Sequence, residues 1–169
     1  MDVVIVNPTL VMGPGVWGQS STQIVKKVAD GLSFYTSGSN GFIDVRDVSS
    51  IMLKLVNDGP KNQRYILAAE NLMLRDAINQ IADALGKKRP KYKAGALLTG
   101  ILWRVEWLRS KLTGSRPILT RETTNTANST SIYDNSKIKE AIDHEFIPIS
   151  RSIKAVSYTH LTLPTICSV

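Results

Sequence analysis

Cysteine is almost absent from this chain. Cys167 is the only one in 169 residues, which rules out an internal disulfide framework or a cysteine-built metal site and fits a reducing compartment, the cytoplasm. Histidine is nearly as scarce: His144 and His160 stand far apart, with no carboxylate or thiol around them at ligand spacing, so no metal centre is expected. Long hydrophobic runs are also missing. The longest, residues 94–103, falls well short of the ~20 residues that span a bilayer, and Arg104 and Glu106 break it at once. The first residues lack the basic, apolar and small-residue succession of a secretory signal, and stable membrane insertion is not expected.

Acidic residues are few relative to basic ones. The formal charge is +7, and Lys87, Lys88, Arg89, Lys91 and Lys93 carry much of it. Such a cluster binds nucleic acid or an anionic membrane, or is simply a solvated loop. With only Tyr92 interleaved as a stacking partner, the solvated loop is the stronger reading, and no nucleic-acid partner is expected. At 43% hydrophobic and 21% charged, the rest of the composition is that of a folded domain.

The chain is organised around residues 2–18, DVVIVNPTLVMGPGVWG. Val3, Val4, Ile5 and Val6 form a β-branched run that predicts a parallel strand covered on both faces, and either paired with a short strand near residues 64–67 or left with one edge open. Pro8 has no N–H for a ladder and ends the pairing. It leaves Thr9, Leu10 and Val11 beyond the strand's carboxyl end with N–H groups free for a ligand such as a carboxamide or phosphate. Gly13, Gly15 and Gly18 match G-x-G-x-x-G formally. They lie too far after the strand, enclose Pro14, and lack an acid at the dinucleotide spacing, so the stretch reads as a loop.

Further on, residues 19–31 predict an amphipathic helix on Ile24, Val25 and Val28, ended by Gly31. Ser20, Ser21 or Thr22 serves there as a cap, or faces an anionic group such as a pyrophosphate. Asn40-Gly41 predicts a turn between two short extended pieces. Asp47 is the expected N-cap of a helix carrying Val48, Ile51, Met52 and Leu55. A helix over residues 74–85 buries Ile78, Ile81, Ala82 and Leu85. Residues 97–112 predict a broad apolar helix with Trp103 and Trp107, suited to core or lid. A short helix begins at Ser136, and one more turn follows Pro148.

Taken in order, NPTLVMGPG, FIDVRDVSSIMLKLVNDG, RYILAAENLMLRDAINQIADALG, YDNSKIKEAI and FIPISRSIKAV resemble the second half of an extended short-chain dehydrogenase/reductase. This is the NAD-dependent epimerase/dehydratase superfamily, and the likeness is greatest to its dihydroflavonol-reductase-like and hydroxysteroid-dehydrogenase-like branch. The resemblance implies an α/β fold over residues 1–156. It would comprise the last strands of a Rossmann-type parallel sheet and a small α/β C-terminal substrate domain. In that family the glycine fingerprint and the catalytic Tyr-x-x-x-Lys precede the proline-ended strand, so no catalytic residue is expected in this chain, which by itself should be inactive. Tyr133 and Lys137 satisfy the spacing, but they follow that strand and match the family's late D-N-S-K segment, where capping and surface charge are the expected roles.

The resemblance further implies NAD or NADP as cofactor, with Pro8, Thr9, Leu10 and Val11 at its nicotinamide end and Ser20 or Ser21 near its phosphates. Met12, Gly13, Arg46 and Trp103 fall on the side of a small carbonyl or alcohol substrate. Nucleotide-sugar members carry an arginine before the proline and an Arg-Asp-Phe run later. Here those places hold Asn7 and Ser39-Asn40-Gly41, which favours a less charged substrate, while Arg46 keeps the nucleotide-sugar alternative open. A homodimer of the intact protein is a further expectation, and a non-catalytic basic binding module is the alternative from another class. Residues 157–169 contain no Asp, Glu, Lys or Arg and read as a non-native tail with little packing.

Overall fold

The computed structural model describes residues 2–18, 21–95 and 128–166. Ser20, Trp103 and the helix predicted over residues 97–112 lie outside them. Strand β1 (Val4–Pro8) pairs in parallel with β5 (Gln63–Leu67), as expected, with Val4 beside Gln63 and Pro8 beside Leu67. Thr9 steps the chain sideways, and β2 (Leu10–Met12) continues in parallel with β4 (Ser39–Asp44), which takes β6 (Glu70–Met73) antiparallel on its other edge. A third pair, β3 (Phe34–Tyr35) and β7 (Tyr92–Lys93), is parallel.

Five helices complete the described residues: α1 (Thr22–Ala29), α2 (Val45–Asn57), α3 (Leu74–Ala84), α4 (Ser136–Ala141) and α5 (Ile149–Ile166). The period-2 alternation of β4 separates two cores. Phe42 joins Met12, Val25, Val28, Ile78, Ile81, Ile149 and Ile153 beneath α1, α3 and α5. Its neighbour Ile43 joins Ile51, Leu55, Tyr65, Leu67 and Ile138 beneath α2 and α4. Each such side chain, fully buried, stabilises by about 1.5–3 kcal/mol. α1 and α3 stop where Gly31 and Gly86 take φ of +91° and +63°, which a residue with a Cβ adopts only at a cost.

Several expectations are corrected. Among the described residues β1 is covered on one face only: Val4 and Val6 point inward with Tyr65 and Leu67, while Val3, Ile5 and Ile66 are 43%, 41% and 40% exposed, because α2 and α4 both pack on the inner side. Asn40 and Gly41 form no turn and lie inside β4. A Cβ on Gly41 would sit 2.8 Å from both Thr9 Cγ2 and Tyr133 Cδ2, so the glycine is there for close approach. The cap of α2 is Asp44, whose Oδ1 accepts from Arg46 N at 2.8 Å, and Asp47 sits one turn further in. The single turn expected after Pro148 is the 18-residue α5. That helix runs through residue 157 without interruption, and Ser157, expected to pack little, is buried.

Candidate functional site

The corner where β1 becomes β2 lies at the carboxyl edge of the parallel β1/β5 pair, the edge at which ligands bind in open α/β sheets, and at the amino end of the β2/β4 pair. Pro8 is its exposed lip. The N–H of Thr9 is not free as expected: it donates to Leu67 O at 3.0 Å, and Thr9 Oγ1 donates to the same oxygen at 3.0 Å. Leu10 and Val11 are likewise held in β2 against Phe42 and Ile43. Thr9 is therefore fixed by its own hydrogen bonds, and its N–H is already committed.

Beyond β2 the structure brings three of the predicted substrate-side residues together. Met12 is buried and pairs with Asp44, Gly13 packs so tightly on Val45 that a Cβ would collide with it, and Arg46 follows in the first turn of α2. Arg46 donates Nε to Asp44 Oδ1 at 2.9 Å and Nη2 to Oδ2 at 2.7 Å, a two-pronged pair with the guanidinium half exposed and the carboxylate buried. Ser152 Oγ donates to Asp44 Oδ2 at 2.5 Å. Burial by itself would raise the Asp44 carboxyl. The hydrogen bonds from the Arg46 side chain, the Ser152 hydroxyl and the Arg46 N–H outweigh it and hold the group below the usual carboxylate range. Asp44 in turn raises the Arg46 guanidinium, through its hydrogen bonds first and its charge second. Ser21 stands at the N-cap position of α1 and makes no side-chain capping bond there.

Sequence reasoning missed the residues that lock this edge from the far end of the chain. Asp47 is buried and accepts from Ile147 N at 3.0 Å, with His144 Nε2 at 3.0 Å from its other oxygen. Glu70 Oε1 accepts from Ile149 N at 3.0 Å at the start of α5. Asn71 clamps Tyr133 at both ends, donating Nδ2 to its carbonyl and accepting its N–H, each at 2.9 Å, and the Tyr133 ring then lies on Gly41 beside Thr9. Asp134 Oδ1 accepts from Ser136 N at 2.9 Å just ahead of α4, whose N-cap Asn135 makes no side-chain capping bond, and Lys137 Nζ donates to Gln63 Oε1 at 2.9 Å on the surface. No group of three or more potential metal ligands occurs among the described residues.

No family model matches the chain. Sterol demethylase protein B of Methylococcus capsulatus is 24% identical over 95 residues, which are 54% of this chain and 28% of that protein. Among solved structures, a nucleoside-diphosphate-sugar epimerase from Pseudomonas aeruginosa superimposes with a TM-score of 0.71 at 19% identity, over 93% of this chain and 47% of its own. The dTDP-glucose 4,6-dehydratase of Bacillus anthracis, solved with NAD, gives 0.63 at 11% identity, over 94% and 44%. The chain thus spans under half the length of these structures and little more than a quarter of the curated relative. What it shares with these epimerases and dehydratases is the fold, a mixed α/β arrangement with parallel strand pairs of the Rossmann-like kind.

Proposed function

We propose that this chain is the substrate-side, C-terminal part of an NAD(P)-dependent oxidoreductase that reduces or oxidises a carbonyl or alcohol on a small, fairly hydrophobic molecule. The observation that carries the reading is the β1–Thr9–β2 corner at the carboxyl edge of the parallel β1/β5 pair, in a chain whose fold follows an epimerase and a dehydratase, the latter solved with NAD, over more than nine-tenths of its length. Pro8, Thr9, Leu10 and Val11 would border the nicotinamide end and Ser20 and Ser21 the phosphates, with Met12, Gly13, Arg46 and Trp103 towards substrate. NAD(P), when bound, supplies hydride chemistry. The corner would border only one end of it, and the Thr9 N–H there is already spent on Leu67 O.

The state of Arg46 supports the less charged substrate. Its fork is taken by Asp44, and turning it to a diphosphate would strand a buried carboxylate. The second reading, a nucleotide-sugar epimerase or dehydratase, is favoured by what the structural neighbours are. A cytoplasmic location and a homodimer of the intact protein belong to both.

Calorimetry on the chain alone should detect no NAD(P) binding, since a few contacts cannot offset the several kcal/mol lost on immobilising a dinucleotide. Fusing a nucleotide-binding Rossmann half before Asp2 should restore binding and reduction of apolar aldehydes or ketones. Tyr133→Phe should leave that turnover intact. Turnover of a UDP-sugar instead would support the second reading, whereas micromolar NAD(P) binding by the chain alone would defeat the partial-site argument.

A further inference from the structure

The parallel β3/β7 pair places two aromatic rings side by side that the sequence keeps far apart. Phe34 and Tyr92 are register partners with ring centroids 5.7 Å apart, tilted by 41°, and they are 44% and 62% exposed. Beside them a depression of about 500 Å³ opens where α1 and α3 end, lined by Leu32, Lys87, Lys88, Arg89, Lys91 and Tyr92 among others. Arg89 is neutralised by Asp83, to which it donates Nε and Nη2 at 2.8 Å. The C-termini of the two helices contribute about one negative charge between them. With Lys93 added to the rim, that leaves roughly three positive charges beyond what the helix ends account for.

We propose that this face docks the protein peripherally on an anionic phospholipid surface, with the lysines on the headgroups and the Phe34–Tyr92 pair in the interfacial layer. Clustered lysines next to exposed aromatic rings match that layer in both charge and polarity. A nucleic acid fits less well, because the two rings lie against each other and leave no slot for a base between them. No described helix is long and apolar enough to cross a membrane, so the association is at the surface. It stands independently of the oxidoreductase reading.

The test is co-sedimentation of the full chain with vesicles of phosphatidylcholine alone or mixed with phosphatidylserine, at low and physiological salt, against a vesicle-free control. Binding should require phosphatidylserine and weaken with salt. Joint Lys87→Gln, Lys88→Gln and Lys91→Gln substitution should cost on the order of a hundredfold in affinity. Phe34→Ser with Tyr92→Ser should weaken binding severalfold at unchanged charge. Lys61→Gln, elsewhere on the surface, should not weaken it. All these positions are exposed, so circular dichroism should stay unchanged. The proposal fails if anionic vesicles are not bound, if neutral vesicles bind equally, or if the triple variant binds like the parent. It also fails if single-stranded RNA binds more tightly than the vesicles, or if inorganic phosphate displaces them at equal ionic strength.

Discussion

Asp44 shows how one side chain can be both helix cap and anchor. It closes the start of α2, holds the Arg46 fork and takes the Ser152 hydroxyl, so its acceptors tie β4 to both α2 and α5. Asp44→Asn should destabilise by about 2–3 kcal/mol at neutral pH, the range for hydrogen bonds to a charged group when one partner is half exposed. The sign with pH follows from the lowered carboxyl. Its stabilisation is complete above the unfolded value of about 3.9 and is lost as pH falls through the folded value, so parent and variant should converge in acid. Urea midpoints at neutral and acid pH measure this, and a gap that stays constant would contradict it. Gly41→Ala tests a different physical cause. With Thr9 and Tyr133 both 2.8 Å from the added carbon, it should cost about 1–3 kcal/mol by overpacking, while Gly31→Ala, which meets nothing within 4 Å, pays only for its positive φ.

At the scale of elements, what could be read in advance was what is encoded locally. The apolar spacing of Val25 and Val28, of Ile51 and Leu55, and of Ile78, Ile81 and Leu85 located three helices, since each stripe sits within one element and faces one core. The path of β4 was misread because a glycine after asparagine signals a turn, whereas this one answers to Thr9 and Tyr133, both distant in sequence. The long-range roles of Asp44, Asp47 and Glu70 have the same cause: Ser152, His144, Ile147 and Ile149 lie 79 to 108 residues away from them and leave no local signature. These three acids fasten residues 144–152 to β4, α2 and β6. Asp47→Ala and Glu70→Ala should therefore speed amide exchange in α5 more than in β1, and equal acceleration in both would show that the docking is not separable. Past that anchor α5 changes character. The Ser157 hydroxyl is buried without a partner and Tyr158 is 71% exposed, so Ser157→Ala should be neutral or stabilising by up to about 1 kcal/mol, read from the urea midpoint.

The molecule as a whole presents more apolar surface than its cores require. Val3, Ile5 and Ile66 stand together on the outer face of β1 and β5, and β1 has a single ladder partner among the described residues. Met52, Leu53 and Val56 add an exposed stripe on α2, at 47%, 66% and 75%. Scattered apolar residues are ordinary, but a strand with an open edge and an open apolar face is a template for association. The isolated chain should accordingly self-associate in a concentration-dependent way on gel filtration. Ile5→Thr with Ile66→Thr should reduce that association and leave stability within about 0.5 kcal/mol, because the residues removed are exposed. In a fusion that supplies a nucleotide-binding half, the same pair should be destabilising, by about 1–2 kcal/mol for each residue, because there the face is covered. The opposite responses of the two proteins are the discriminating result. A monomeric isolated chain with slowly exchanging amides along β1, or a fusion indifferent to both substitutions, would show that this face needs no cover.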